Sequence, residues 1–307
     1  MSVRSVFIMG AMTLTCALWP IPARAQDITG EYVFRCGVAI HANEATGTHA
    51  FPQDEHFCPL LADPKQPRSF LALLGGQFAT LDDPDDPAST SIGSVGLGDR
   101  FGLVRWGGTR PGDGFQLSLM GAIFAQFDLG TSSTDLINAD YLVGFPLTYR
   151  HSGTTARLRL YHQSSHLGDE YLLRDQEIQR ENLSFESVEF ILSQEIGALR
   201  VYGGGETLFR RNPDSLDRML GHAGAELHSG TGVVSAVAGI DVKFSEQQDY
   251  SAAWSARAGL RIAPTARAGH PARRILILAE YYNGPSPYGQ FFQDEIRYAG
   301  LGLHLMH

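Results

Sequence analysis

Cysteine is scarce, at 3 of 307 residues, too few to staple a small disulfide scaffold. After the N-terminal segment no long uncharged apolar run occurs. Mean hydropathy is only -0.11, which excludes a polytopic helical membrane protein. Basic charge is in deficit, with 24 Lys and Arg against 33 Asp and Glu and a net charge of -9. Phosphate binding needs a basic face, so nucleic acid is not the expected partner. Charged residues make up 19% of the chain and hydrophobic ones 43%, too apolar a mixture for disorder. Glycine, by contrast, is plentiful at 34 of 307, about 11% where roughly 7% is ordinary. The length allows one large domain or two small ones. What survives is a glycine-rich, acidic, globular or β-barrel protein.

Residues 1–25 read as a secretory signal: Arg4 is the charged start, Val6 to Trp19 the apolar stretch, and Ala23-Arg24-Ala25 the small-x-small cleavage site. The alternative, a membrane anchor, needs ~20 apolar residues, and this run ends in Pro20 and Pro22. Cys16 follows Leu14-Thr15, a poor lipobox. Export would remove Arg4 and Arg24 and no acid, taking the net charge from -9 to about -11. Two cysteines then remain, Cys36 and Cys58. In an oxidising compartment a lone pair bridges, so a Cys36–Cys58 disulfide is expected within a periplasmic N-terminal segment, residues 26–68. Two ligands at this spacing do not make a zinc site.

From about residue 98 the apolar pattern has period two. Over 115–127, Phe115, Leu117, Leu119, Ile123 and Phe127 share one face, and Gln116, Ser118 and Gln126 the other. Over 154–165, Leu158 and Leu160 oppose Arg157, Arg159, Tyr161 and Gln163. Over 250–262, Trp254, Ala256, Ala258, Leu260 and Ile262 oppose Ser255, Arg257, Gly259 and Arg261. Similar stretches recur at 139–150, 185–195, 198–207, 219–228, 233–244, 273–282 and 295–305. A soluble sandwich would bury the apolar face. Three features favour an all-β, antiparallel transmembrane barrel of about 12 strands over residues 69–307. The strands are long enough for a tilted crossing. The polar face is ionic, with Arg157, Arg159, Arg257, Arg261, Glu226 and Asp241 suited to a hydrated lumen where they pair. Short links at 151–153, 196–197 and 229–232 alternate with long ones at 166–184 and 283–294, as tight periplasmic turns alternate with outer loops.

The final stretch Tyr298-Ala299-Gly300-Leu301-Gly302-Leu303-His304-Leu305 resembles the C-terminal signal by which bacterial outer-membrane barrels are recognised for insertion, although Met306-His307 follow it. Leu61-Ala62-Asp63-Pro64-Lys65-Gln66-Pro67-Arg68, Tyr161 to Tyr171 (YHQSSHLGDEY) and Asn283 to Phe291 (NGPSPYGQF) resemble the signatures of an uncharacterised bacterial family, a domain of unknown function. That resemblance implies an outer-membrane barrel and no established activity.

His162-Gln163-Ser164 is the constellation able to do chemistry. His162 and Ser164 continue the face of Leu158 and Leu160, so they point to lipid at the outer end of the strand. Polar groups there are costly unless they sit at the interface or act there. An imidazole beside a hydroxyl is the core of an activated serine nucleophile. The pair is similar to the His-x-Ser pairs of outer-membrane phospholipase A and lipid A deacylase barrels, where an Asn follows the Ser; here Ser165 follows. On the next strand Glu186 extends the face of Val188, Phe190 and Leu192 and is the candidate orienting residue, with Glu189 on the opposite face. The bland alternative is that His162, Ser164 and Ser165 mark the strand's exit from the membrane.

Other clusters carry less. Asp82-Asp83-Pro84-Asp85-Asp86-Pro87 reads as a solvated outer loop, or as carboxylates that reach lipopolysaccharide through a divalent cation such as calcium. Asp169-Glu170 beside His166 invites the same reading. No other cofactor is implied. Gly203-Gly204-Gly205 lacks the Lys-Ser/Thr of a phosphate loop. Three functions stay open: an envelope or lipid-contacting role, with residues 26–68 as partner-binding segment; lipid-ester hydrolysis by His162 and Ser164; and a narrow anion-preferring channel. The expected partners are outer-membrane lipids, lipopolysaccharide and the barrel-insertion machinery.

Overall fold

The computed structural model describes residues 31–33, 39–41, 46–53, 55–78, 90–110, 112–174, 182–230, 232–263 and 274–306. The signal at 1–25, Cys36 and the acidic run 82–87 lie outside the described residues.

Alternating side chains at period two leave the backbone no choice but extended pairing, and the long strands close on themselves. A small hairpin pairs β1 (Glu31–Val33) with β2 (Ala39–His41), and β3 (Gly47–Ala50) follows. Twelve strands then form the barrel: β4 (Ser69–Phe78), β5 (Thr90–Gly107), β6 (Gly114–Asp128), β7 (Asp135–His151), β8 (Thr154–Leu167), β9 (Leu183–Ile196), β10 (Leu199–Asn212), β11 (Met219–His228), β12 (Val234–Ser245), β13 (Ala252–Ile262), β14 (Arg274–Pro285) and β15 (Glu295–Met306). Every neighbouring pair is antiparallel, and β15 against β4 closes the ring. Closure removes the edges that an open sheet would expose.

The expected faces hold. Phe115, Leu119, Val143, Phe145, Leu158 and Leu160 are exposed on the outside, while Gln116, Ser118, Arg157, Arg159, Arg257 and Arg261 are buried inside. Tight turns sit at one end. Ser152 (φ 54) and Gly197 (φ +62) take the left-handed conformation that two-residue hairpin links demand. Longer loops occupy the other end, where a four-residue helix, α1 (Asp169–Leu172), follows β8. Gly168 makes that exit sharp, since a Cβ there would stand 1.9 Å from the Leu136 carbonyl oxygen. The second barrel strand begins at Thr90 rather than near 98, because Gly93, Gly96 and Gly98 blur its apolar alternation.

Within the N-terminal segment, residues 55–68 run inside the barrel as a plug. β3 pairs with β5 at Val104–Gly107, and β4 pairs with the same strand at Thr90–Gly96. Pro52 packs on Gly102, and Ser69 bonds Gly98. One column of the wall is therefore made in two pieces, and the chain between them detours through the lumen. Two forces hold it there. Phe57, Leu60 and Leu61 are buried at 0%, 0% and 4% exposure, each such side chain contributing about 1.5–3 kcal/mol. The plug's carbonyls have no ladder partner, so they need other donors. Arg68 Nη2 donates to Leu60 O at 2.9 Å, and Arg257 Nη1 donates to Leu61 O and Asp63 O, each at 3.2 Å. Toward the loop end an aromatic cluster stacks inside, with Tyr298 between Phe78 (5.9 Å) and Tyr282 (5.4 Å).

Candidate functional site

Period-two geometry carries β8 outward at Leu158, Leu160, His162 and Ser164 and inward at Arg157, Arg159, Tyr161, Gln163 and Ser165. Strand pairing then fixes the neighbours. Val143, His162, Glu186 and Arg210 form one rung across β7, β8, β9 and β10. Tyr141, Ser164, Ser184 and Asn212 form the next rung toward the loop end. Below them Phe145, Leu160 and Val188 begin the apolar rows. A polar patch thus starts on the outer face where those rows stop.

Directly opposed side chains in a sheet have Cβ atoms about 4.5–5.5 Å apart, close enough for His162 to meet Glu186. The distance from Nδ1 to Glu186 Oε1 is 3.2 Å, and the two side chains are 42% and 29% exposed. Glu186 Oε2 also lies 3.8 Å from Arg210 Nε. A carboxylate only accepts, so the pairing assigns a ring proton to Nδ1, and in the neutral imidazole Nε2 is then the acceptor. Ser164 makes no side-chain hydrogen bond among the described residues. Positions two apart on a strand are separated by about 6.5–7 Å along the chain, so an imidazole and a hydroxyl there meet by rotation about χ1. The structure brings His162 and Glu186 together and leaves Ser164 beside them.

Three other residues named from the sequence fall elsewhere. Ser165 faces inward, donates to Asp140, and accepts from the Gln290 N–H at 3.0 Å, tying the loop before β15 to the wall. Glu189 also faces inward, between Arg157 (2.8 Å) and Arg159 (2.6 Å). His166 points out and its ring packs on Tyr141 at 5.7 Å.

The six lumen charges named from the sequence all face inward, but their partners are different residues. Arg257 pairs with Glu280 at 2.8 Å, Glu226 with Arg200 at 3.1 Å, and Asp241 with His222 at 2.6 Å. Arg261 donates to the Gly230 carbonyl. The plug adds Asp63, held by Lys243 at 2.7 Å, and Lys65, held by Asp140. Sequence reasoning missed Arg200, Glu280, Asp63 and Lys65. The first two were legible, since each sits on the polar face of a recognised strand. Above Lys65 a cavity of about 200 Å³ remains, bounded by Arg159, Tyr161, Glu206, Lys243 and Tyr288. Among the described residues no three or more His, Cys, Asp or Glu side chains converge as a metal site.

The whole chain, residues 1–307, matches the family described as protein of unknown function (DUF1207). The chain belongs to this family. No curated protein matches the DUF1207 chain. Among solved structures it resembles the outer membrane phospholipase OMPLA of Salmonella typhi, crystallised as a dimer with bound calcium. That match has a TM-score of 0.53 at 16% identity and covers 80% of this chain and 94% of that one. It also resembles outer membrane phospholipase A of Escherichia coli, with a TM-score of 0.52 at 16% identity, covering 82% and 94%. These likenesses establish an outer-membrane-type barrel for this DUF1207 member.

Proposed function

We propose that the protein hydrolyses lipid esters at the outer surface of a bacterial outer membrane, with Ser164 as nucleophile, His162 as general base and Glu186 as the carboxylate that orients the imidazole. The observation that carries this reading is the His162–Glu186 contact on the outer face, one rung from Ser164 and immediately beyond the apolar rows. A lipid reaches such a site sideways, within its own leaflet. Ser164 Oγ attacks the ester carbonyl carbon while its proton passes to His162 Nε2. The tetrahedral intermediate collapses, the C–O bond to the lipid alcohol breaks, and the alcohol oxygen takes that proton. Water then attacks the acyl-serine by the same route, releasing the fatty acid and restoring the hydroxyl. Glu186 stabilises the imidazolium formed in each half.

The same reading takes residues 1–25 as the export signal, the outer membrane as location, Cys36–Cys58 as a bridge, and phospholipid or lipopolysaccharide as the contacting lipid. It includes delivery by the barrel-insertion machinery and a role for calcium at outer-loop carboxylates. Support for the location comes from the fold class shared with outer-membrane barrels. The test is hydrolysis of phospholipid and lipid A by refolded protein, with calcium present. Ser164→Ala is expected to abolish release of fatty acid, and Glu186→Gln to slow it about 10²-fold. A wild-type protein that releases none refutes the proposal.

A further inference from the structure

Resting on that hydrolase reading, we infer that Arg210 is the head-group recognition residue and that the substrate carries an anionic phosphate. Three observations converge on it. The first is register: Arg210 shares the rung of His162 and Glu186, two strands, or about 10 Å, from His162. The phosphate of a phospholipid stands a few bonds from its ester carbonyls, a distance that a long arginine side chain spans from this position.

The second is a β-bulge. β10 alternates inward at Arg200 and Tyr202, and that even-numbered series would carry Arg210 into the lumen. The pairing with β9 shifts between Leu208 and Arg210, so that Phe209 is the extra residue and Arg210 falls opposite outward-facing Glu186. A bulge re-aims the side chains that follow it. Here its effect is to place a guanidinium on the outer face beside the candidate catalytic pair.

The third is availability. The Arg210 side chain is 81% exposed, and its one ionic contact among the described residues is Nε to Glu186 at 3.8 Å. The terminal nitrogens, free of partners among the described residues, present the fork that binds phosphate oxygens in two parallel hydrogen bonds. A guanidinium on the outer wall of a barrel, just past the apolar rows, stands at the depth of the lipid phosphates.

Binding and turnover test the inference separately. In the Ser164→Ala background, where nothing is consumed, titration with short-chain phosphatidylglycerol and with short-chain diacylglycerol is expected to give at least tenfold tighter binding of the phosphate lipid. Arg210→Gln is expected to erase that preference and Arg210→Lys to restore part of it. With Ser164 present, Arg210→Gln is expected to raise KM for phosphatidylglycerol about tenfold more than for a phosphate-free ester, with the smaller change in kcat. Replacing phosphatidylglycerol by lipid A distinguishes a phosphodiester source from a phosphomonoester one, and a preference for either over diacylglycerol supports the inference. An Arg210→Gln protein that keeps the phosphate preference overturns it, even if esters are hydrolysed. A phosphate preference that depends on Arg210 in a protein that hydrolyses nothing overturns the hydrolase reading instead and leaves head-group recognition standing.

Discussion

Asp63 is the residue on which docking of the plug turns, and its removal has a magnitude that can be worked out. Its side chain is 1% exposed; Oδ1 accepts from Lys243 Nζ at 2.7 Å and from the Lys65 backbone N–H at 3.0 Å. Lys243, on β12, keeps 23% side-chain exposure. Removing one partner of a buried pair leaves the other charge uncompensated and costs about 3–5 kcal/mol. At 1.4 kcal/mol per tenfold, Asp63→Ala is expected to shift the docking equilibrium by roughly 10² to 4 × 10³-fold. The Leu61 amide reports it directly, because that N–H donates to Glu226 Oε1 at 2.7 Å only while the plug is in place. Hydrogen exchange at Leu61 is therefore expected to accelerate by the same factor in Asp63→Ala. Lys243→Met alone strands Asp63 and is expected to act similarly. The double variant removes both charges, and apolar replacement of a whole buried pair is close to neutral, so it is expected to exchange more slowly than either single variant. Unchanged exchange at Leu61 in Asp63→Ala, or a double variant that merely sums the two singles, refutes this account of the plug.

Replacing residues 53–67 by a five-residue Gly/Ser linker is expected to open an ion-conducting lumen. The linker need only span Gly98 to Gly102 along β5, about 14 Å, and single-channel recording that finds no conductance counts against a plug that closes the barrel. His56 sets a pH dependence: its imidazole is pushed down to about 3, first by burial and then by the Arg105 and Arg150 charges. The undocked segment takes a proton at the ordinary value of 6.5 and the docked one does not. Docking is therefore at full strength above about 6.5 and weakens as pH falls toward 3, by roughly 2 kcal/mol at pH 5. Leu61 exchange corrected for its intrinsic pH dependence measures this, and His56→Gln is expected to flatten the slope.

The wall was legible because alternation is a local signal: each residue's face follows from its neighbour two positions away. The same arithmetic carried Glu186 to the rung of His162, since β8 and β9 keep unbroken register from Thr154 to Ser165. Carried along β10, the same arithmetic would turn Arg210 inward, because the shift between Leu208 and Arg210 leaves no mark in the composition of the strand. Lumen charges could be oriented but not paired, because Arg257 meets Glu280 through strand register rather than through spacing. The plug was illegible for a related reason. Phe57 to Arg68 has no period, and its partners at Asp140, Glu226 and Lys243 are set only once the barrel has closed around it.

Both ends of the plug are stitched to a single strand, at Pro52 on Gly102 and at Ser69 on Gly98. Leaving the lumen is for that reason never a dissociation. A displaced plug stays tethered within one loop's length of its seat, at an effective concentration of millimolar order. Its return does not depend on how much protein the membrane holds. A competitor for the lumen would have to outbid that local concentration, so an emptied barrel is a brief state from which the chain recovers by itself.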